Sequence, residues 1–291
     1  MIFKIKYNKF INYCENNGFE ISINNCNLLH IGNKNLNKKY FIMNQEISII
    51  KNDQLVRDLG IFYNGKLCMD GHIKYIVNKS TKLSFTLLRA IKTNNPKILI
   101  NLFNTYVRPT LEFESQIWNP YTIKNIQKIE GIQKRFLKII HRRYSKHIFP
   151  EVRIKYIDLL RLYKLEPLEH RRIKNDLITF HKIPYGIPSL AHNNSFTIRE
   201  SRIRGDRFKI STHNCAKTSR HNSFLIRAPR LYNLLPSEIK ANPPILVTKL
   251  LRGIQLTSIP VFKDKPPLIF PDFRYYILFY IFIVFAAFID F

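Results

Sequence analysis

Hydrophobic and polar positions change their period along this chain, and each change predicts a different kind of element. Residues 4–18 place Ile5, Phe10, Ile11 and Cys14 roughly on one side, as a helix does, and Asn16-Asn17-Gly18 supplies its stop with Gly18 as C-terminal cap. Phe19-Glu20-Ile21-Ser22-Ile23 alternates apolar with polar, the pattern of a half-buried strand. After the turn Asn24-Asn25-Cys26, the run Leu28-Leu29-His30-Ile31 reads as a buried strand. Tyr40 to Met43 and Ile47 to Ile50 predict a hairpin around Asn44-Gln45, and Leu55 to Tyr63 a further strand ended by the Asn64-Gly65 turn signal. One helix and four or five short strands bury too little to make residues 1–65 a secure domain alone.

From Asp70 the period becomes helical. Asp70 is suited to cap a helix running to about Lys92, with Ile73, Ile76, Val77, Leu83, Leu87 and Ile91 at three- and four-residue spacing. Pro96 opens a second helix, whose stripe is Leu99, Leu102, Phe103, Tyr106 and Val107. Pro109 interrupts or kinks it, and Thr110 to Trp118 resumes as helix. The clearest helix runs from Tyr121-Thr122 to about Arg142. Ile126, Ile129, Phe136, Leu137 and Ile140 fall on one side of it, and Lys124, Lys128, Arg135, Lys138 and Arg142 on the other. Residues 151–182 hold one or two more helices, one starting at Pro167. Residues 184–222, rich in Ser, Asn, Arg and His with little periodicity, read as a mobile basic segment. Order returns from Phe224 to Leu251, with a helix from Ile245. Pro266-Pro267 and Pro271 mark a linker. The fifteen residues from Tyr275 to Ile289 are all apolar or aromatic, short of the ~20 residues of a spanning helix though within the loose range if Phe273 and Phe291 are counted.

Charge sharpens this picture. The 291 residues carry 47 Lys and Arg against 20 Asp and Glu, a formal net charge of +27. Such an excess repels itself unless a polyanion is near, so nucleic acid is the first candidate partner and an anionic membrane surface the second. Compositional drift in an AT-rich genome would supply Lys but explains the Arg residues less well. The five cations Lys124, Lys128, Arg135, Lys138 and Arg142 form a stripe without an interleaved Glu. That stripe suits a face tracking phosphates, and equally a merely solvated face. Cys14, Cys26, Cys68 and Cys215 are scattered, which suggests free thiols in a reducing compartment. His213, Cys215 and His221 match no common zinc spacing. The first residues carry charge within their apolar run, unlike a signal peptide.

Candidate chemistry is sparse. The chain has no Gly-rich phosphate loop and no His-Glu-x-x-His or Gly-x-Ser-x-Gly motif. Glu112 and Glu114 are two apart, which points them away from each other on a helix. Asp53 and Asp58 suit turns and local pairing, for example with Arg57, and Asp70 suits a cap. No carboxylate pair is spaced for two-metal chemistry.

Several motifs nevertheless recur in a definite order. They are Asn17-Gly18-Phe19-Glu20-Ile21-Ser22, Cys26-Asn27-Leu28-Leu29-His30-Ile31-Gly32, Arg57-Asp58-Leu59-Gly60-Ile61 and Gly71-His72-Ile73. Val107-Arg108-Pro109-Thr110-Leu111-Glu112, Trp118-Asn119-Pro120-Tyr121 and Ile129-Glu130-Gly131-Ile132-Gln133-Lys134-Arg135-Phe136 follow. Last come Leu165-Glu166-Pro167-Leu168-Glu169-His170-Arg171-Arg172 and the run from Arg230 to Glu238. In order and spacing this set resembles the part of a LINE-type (non-LTR, jockey-like) retrotransposon reverse transcriptase that follows its catalytic motif.

The resemblance implies an α+β fold: a small mixed sheet forming the end of a polymerase palm, then a mainly α-helical thumb and a helical or irregular C-terminal region. The implied divisions are palm over 1–65, thumb over 66–145, a basic helical and loop region over 146–255, and a Pro-rich linker with apolar tail over 256–291. The family's Tyr/Phe-Ala-Asp-Asp turn falls on no residue, since Ala-Asp-Asp does not occur in the chain. The expectation is therefore a truncated RNA-directed DNA polymerase that keeps its grip on the RNA or DNA template-primer duplex but not its catalytic aspartates. No catalytic or metal-binding residue is assigned; Mg2+ belongs to the intact family enzyme. An intracellular location, nucleus or cytoplasm, goes with this reading. The alternative is a non-catalytic basic protein held at a membrane through Tyr275 to Phe291.

Overall fold

The computed structural model describes residues 11–22, 26–31, 39–42, 45–145, 154–183, 196–200, 208–212, 218–254 and 256. The chain divides into two compact units, Met1–His72 and Ile73–Phe291. It is mixed α and β, mainly helical, with sheets of two strands each among the described residues.

In the first unit, residues 11–16 are helical (α1). Gly18 ends that helix with φ +66°, a conformation that costs glycine least, and the Phe19 N–H returns to the Cys14 carbonyl at 2.9 Å. Residues 19–22, expected as strand, form none; the Phe19 backbone is spent on closing the helix. The strands are β1 (Asn27–Leu29), β2 (Phe41–Ile42), β3 (Gln45–Glu46), β4 (Ser48–Ile50), β5 (Val56–Asp58) and β6 (Ile61–Tyr63). β1 pairs in parallel with β4, Leu28 opposite Ile49, while β2 and β3 make a tight antiparallel hairpin. The expected hairpin is thus shorter and shifted, because Ser48 to Ile50 pairs with β1 instead. Leu55 to Tyr63, expected as one strand, is also a hairpin. Asp58 lies opposite Ile61, and Leu59 and Gly60 make the two-residue turn with φ +45° and +90°. Positive φ at both central positions matches the twist of the flanking strands. Arg57 lies over the Phe62 ring, 5.8 Å from its centroid, and Asp58 accepts from the Tyr63 hydroxyl at 3.4 Å, so the suggested Arg57–Asp58 pairing is not made.

Among its described residues the second unit is helical apart from one hairpin. Its elements are α2 (Asp70–Ala90, which begins at the unit boundary), α3 (Pro96–Leu102), a π-helical turn (Phe103–Val107), α4 (Arg108–Glu112), α5 (Ser115–Trp118), α6 (Ile123–Ser145), α7 (Tyr156–Leu162) and α8 (Leu168–Lys182). After these come β7 (Phe196–Glu200), β8 (Phe208–Thr212), α9 (Thr218–His221), α10 (Phe224–Asn233), α11 (Ser237–Lys240) and α12 (Pro244–Gly253). Asn95 caps α3, its side-chain oxygen accepting from the Lys97 N–H at 3.0 Å. Pro109 has no N–H to offer and its ring crowds the carbonyl four residues back, so the helix widens just before it into the π turn. The extra residue rotates the stripe: Phe103, Val107 and Leu111 stay buried, whereas Tyr106, expected inside, is 55% exposed. Thr110 to Trp118 is not one helix either. Phe113 turns extended and Glu114 takes φ +47°, while the Trp118 indole N–H bonds the Phe113 carbonyl at 2.7 Å.

α8 is the central element of this unit, packing against α4, α5, α6, α10 and α12. Its C-terminal half joins a core of Leu177, Phe180, Tyr232, Val247 and Leu251. Part of the segment expected to be mobile is ordered against that core. β7 and β8 pair antiparallel from Phe196 opposite Thr212 to Glu200 opposite Phe208, and Ile210 is buried. Asn233 of α10 holds the hairpin, its side-chain amide bonding both the N–H (3.1 Å) and the carbonyl (2.8 Å) of Ile210. This hairpin falls in a segment that the sequence reads as irregular.

Candidate nucleic-acid interface

α6 builds the candidate surface. Its apolar side is buried as the spacing predicts: Ile126, Ile129, Phe136, Leu137 and Ile140 are at most 2% exposed. Phe136 meets Phe103 with ring centroids 4.7 Å apart. Three polar residues share that buried side. The Glu130 carboxylate accepts from the Tyr156 hydroxyl at 2.5 Å and from the Leu168 N–H, 3.1 Å from each oxygen. Leu168 is the first residue of α8, where Pro167 offers no side-chain cap, so Glu130 caps that helix from outside. Gln133 donates to the Tyr156 hydroxyl and to the Glu166 carbonyl, both at 3.0 Å. Asn125 completes the set. Burial raises the Glu130 pKa against the lowering effect of its donors and of Arg172.

With these groups turned inward, the opposite side is fixed. Lys124, Lys128, Arg135, Lys138 and Arg142 are all exposed. Among the described residues none of the five pairs with a carboxylate; Lys128 reaches the Asn125 side chain at 3.4 Å and Arg135 the Gly131 carbonyl at 3.2 Å. Glu130 is the only acid in α6 and it is 1% exposed, so no carboxylate from this helix faces solvent. Arg143 is set apart from the stripe. Its guanidinium donates to the carbonyls of Leu88 (2.6 Å) and Ile91 (3.2 Å), which closes the C-terminal end of α2.

Residues of several of the later motifs meet within the second unit. Arg171 makes a two-pronged pair with Glu112. Asn119 accepts from the Arg172 Nε–H at 2.9 Å and approaches Asp176, which in turn holds Arg227 through both oxygens at 2.8 and 3.2 Å. Arg172 is fully buried; burial lowers its pKa, opposed by Glu130, Glu169, Glu112 and Asp176 around it. Lys174 is held by Glu166 at 2.5 Å and by the Ile254 carbonyl. Burial and the charge of Lys174 push His170 down to about 4, so at neutral pH its imidazole is uncharged. These charges hold elements together and line no open site. Local sequence cannot flag them, since each reads as an ordinary solvated charge until its partner, 50 or more residues away in the Glu112–Arg171 and Asp176–Arg227 pairs, is known.

Among the described residues no group of three His, Cys, Asp or Glu could hold a metal ion. The donors present do not fit the Mg2+ that the resemblance associates with the intact enzyme. His213 and Cys215, like the apolar run from Tyr275 to Phe291, lie outside the described residues. Within those residues no helix is long and apolar enough to cross a membrane.

No family profile and no solved structure matches the chain. An uncharacterized protein of Caenorhabditis elegans is similar to it, with 29% identity over 150 residues, which is 50% of this chain and 73% of the relative. That relative has no described activity to carry across, so a functional reading has to rest on the interface itself.

Proposed function

We propose that this chain grips nucleic acid through the exposed face of α6, as the thumb of a non-LTR retrotransposon reverse transcriptase that lacks its catalytic aspartates. The observation that carries the reading is the segregation of charge on α6: six exposed cations, the five of the stripe and Lys134, without carboxylate partners among the described residues, and the helix's one acid buried on the far side. A merely solvated helix mixes both signs on its outer face, because opposed charges at three- and four-residue spacing stabilise it. A phosphate-tracking helix omits the acids. The motif order from Asn17 to Glu238 supports the thumb assignment, and Arg143 and Glu130 fix the helix so that its cations hold one spacing.

Phosphate contacts release counterions, so affinity for duplex falls steeply with salt. Replacing Lys128, Arg135 and Arg142 together with Gln weakens binding to all sequences about equally. It also flattens the log-log salt dependence by roughly two to three units. Fluorescence anisotropy across a salt series measures this against a control carrying three Arg-to-Gln changes within residues 184–222. A common slope for the two variants would defeat the reading.

A further inference from the structure

The cationic face does not end at the edge of α6. Thr81, Ser84, Phe85 and Leu88 of α2 line one narrow crevice together with Ile132 and Arg135 of α6. The two helices therefore lie side by side, and Phe85 and Arg135 both line the crevice between them. Phe85 is 49% exposed, so part of its ring is open to a ligand. Its neighbours one turn away on α2 are Lys82 and Arg89, both exposed. From Ile73 to Ala90 α2 has no acid at all, its only carboxylate being Asp70 at the start. Across both helices, then, the outward surface between Lys74 and Arg142 has cations and aromatic rings but no exposed carboxylate of its own.

We propose that Phe85 is a stacking platform for an unpaired base, with Arg135, Lys82 and Arg89 taking the flanking phosphates of a single strand. The proposal rests on the α6 reading and adds a substrate class to it. A duplex keeps its bases stacked inside and offers an exposed ring nothing to stack on. A single strand offers a π-face at every nucleotide, and an aromatic side chain set in a basic track is how such strands are held. The crevice beside Phe85 has room for about 10 Å³, no more than one water, so a base cannot enter it. It must lie on the rim, against the ring.

The test uses the full chain, oligo(dT), and the same strand paired to oligo(dA). Phe85→Leu keeps the apolar packing at the crevice and removes the π-face. It should weaken oligo(dT) binding roughly tenfold, with the salt slope and duplex affinity unchanged. Phe85→Tyr should bind as the parent does. Phe85→Trp supplies a spectroscopic readout, because the chain's single tryptophan, Trp118, is buried. Emission from the new surface indole should be quenched by oligo(dT) and not by an abasic strand. Equal oligo(dT) affinity for parent and Phe85→Leu overturns the proposal, as does equal quenching by the abasic strand. So does a loss of affinity shared by single strand and duplex, which is what a merely structural role for Phe85 produces. Failure of the α6 reading looks different: the Lys128, Arg135 and Arg142 triple variant then keeps its salt slope with either ligand.

Discussion

Glu130 shows how one buried carboxylate sets the orientation of the candidate face. It sits on the packed side of α6, takes the Tyr156 hydroxyl and the first N–H of α8, and leaves the outer side of the helix without a carboxylate. Removing it would strand two donors where water does not reach, and unmade buried hydrogen bonds cost more than made ones contribute. Glu130→Ala should therefore destabilise the chain by roughly 2–4 kcal/mol, and Tyr156→Phe by about 1 kcal/mol. Because the two share a hydrogen bond, the double variant should lose less than the sum. Urea unfolding of the four proteins measures the cycle; strict additivity would show that Glu130 acts elsewhere. Glu130 also marks where the sequence stops being readable. The apolar stripe from Ile126 to Ile140 announces its burial by spacing alone. A glutamate in the same stripe reads as a surface residue, because its partners Tyr156 and Leu168 are 26 and 38 residues away.

At the scale of elements, the features legible in the sequence are local ones. Gly18 as a cap, Pro96 at the start of α3, and the two-sided pattern of α6 each depend on neighbours within a few residues. The β5–β6 hairpin was missed because its turn is Leu59-Gly60, with a non-glycine residue forced to positive φ, instead of a familiar Asn-Gly pair. The β7–β8 hairpin was missed because it depends on Asn233 of α10, far along the chain. The end of α6 offers a direct contrast between adjacent arginines. Arg142 is exposed and without a carboxylate partner, whereas Arg143 closes α2 through Leu88 and Ile91. Arg143→Ala should cost roughly 1–3 kcal/mol in unfolding free energy, since the bonds it makes are charge-assisted. Arg142→Ala should change stability by less than about 0.5 kcal/mol and reduce the salt slope of duplex binding by roughly one unit. Thermal unfolding and anisotropy on both single variants separate the roles. Stability losses of equal size would mean that α2 does not depend on Arg143.

For the molecule as a whole, binding and chemistry come apart. The net charge of +27 and the acid-free faces of α2 and α6 favour a polyanion anywhere along them, whatever its sequence. Phosphoryl transfer to a primer end asks for something else: carboxylates converging so that two metal ions stand about 4 Å apart and hold both the attacking and the leaving oxygen. Among the described residues, several acids are committed differently. Glu112, Glu130, Glu166 and Asp176 are bound into ion pairs or helix caps inside the second unit, and in the first unit Asp58 meets Tyr63. Ala-Asp-Asp is absent from the sequence. The purified chain should therefore bind template-primer duplex without extending it. Incubation with primer, template, deoxynucleotides and either Mg2+ or Mn2+ should leave the primer at its original length, while anisotropy on the same duplex reports binding. A template-dependent product that chelator abolishes would place a metal-binding carboxylate pair in this chain and overturn the separation of grip from catalysis.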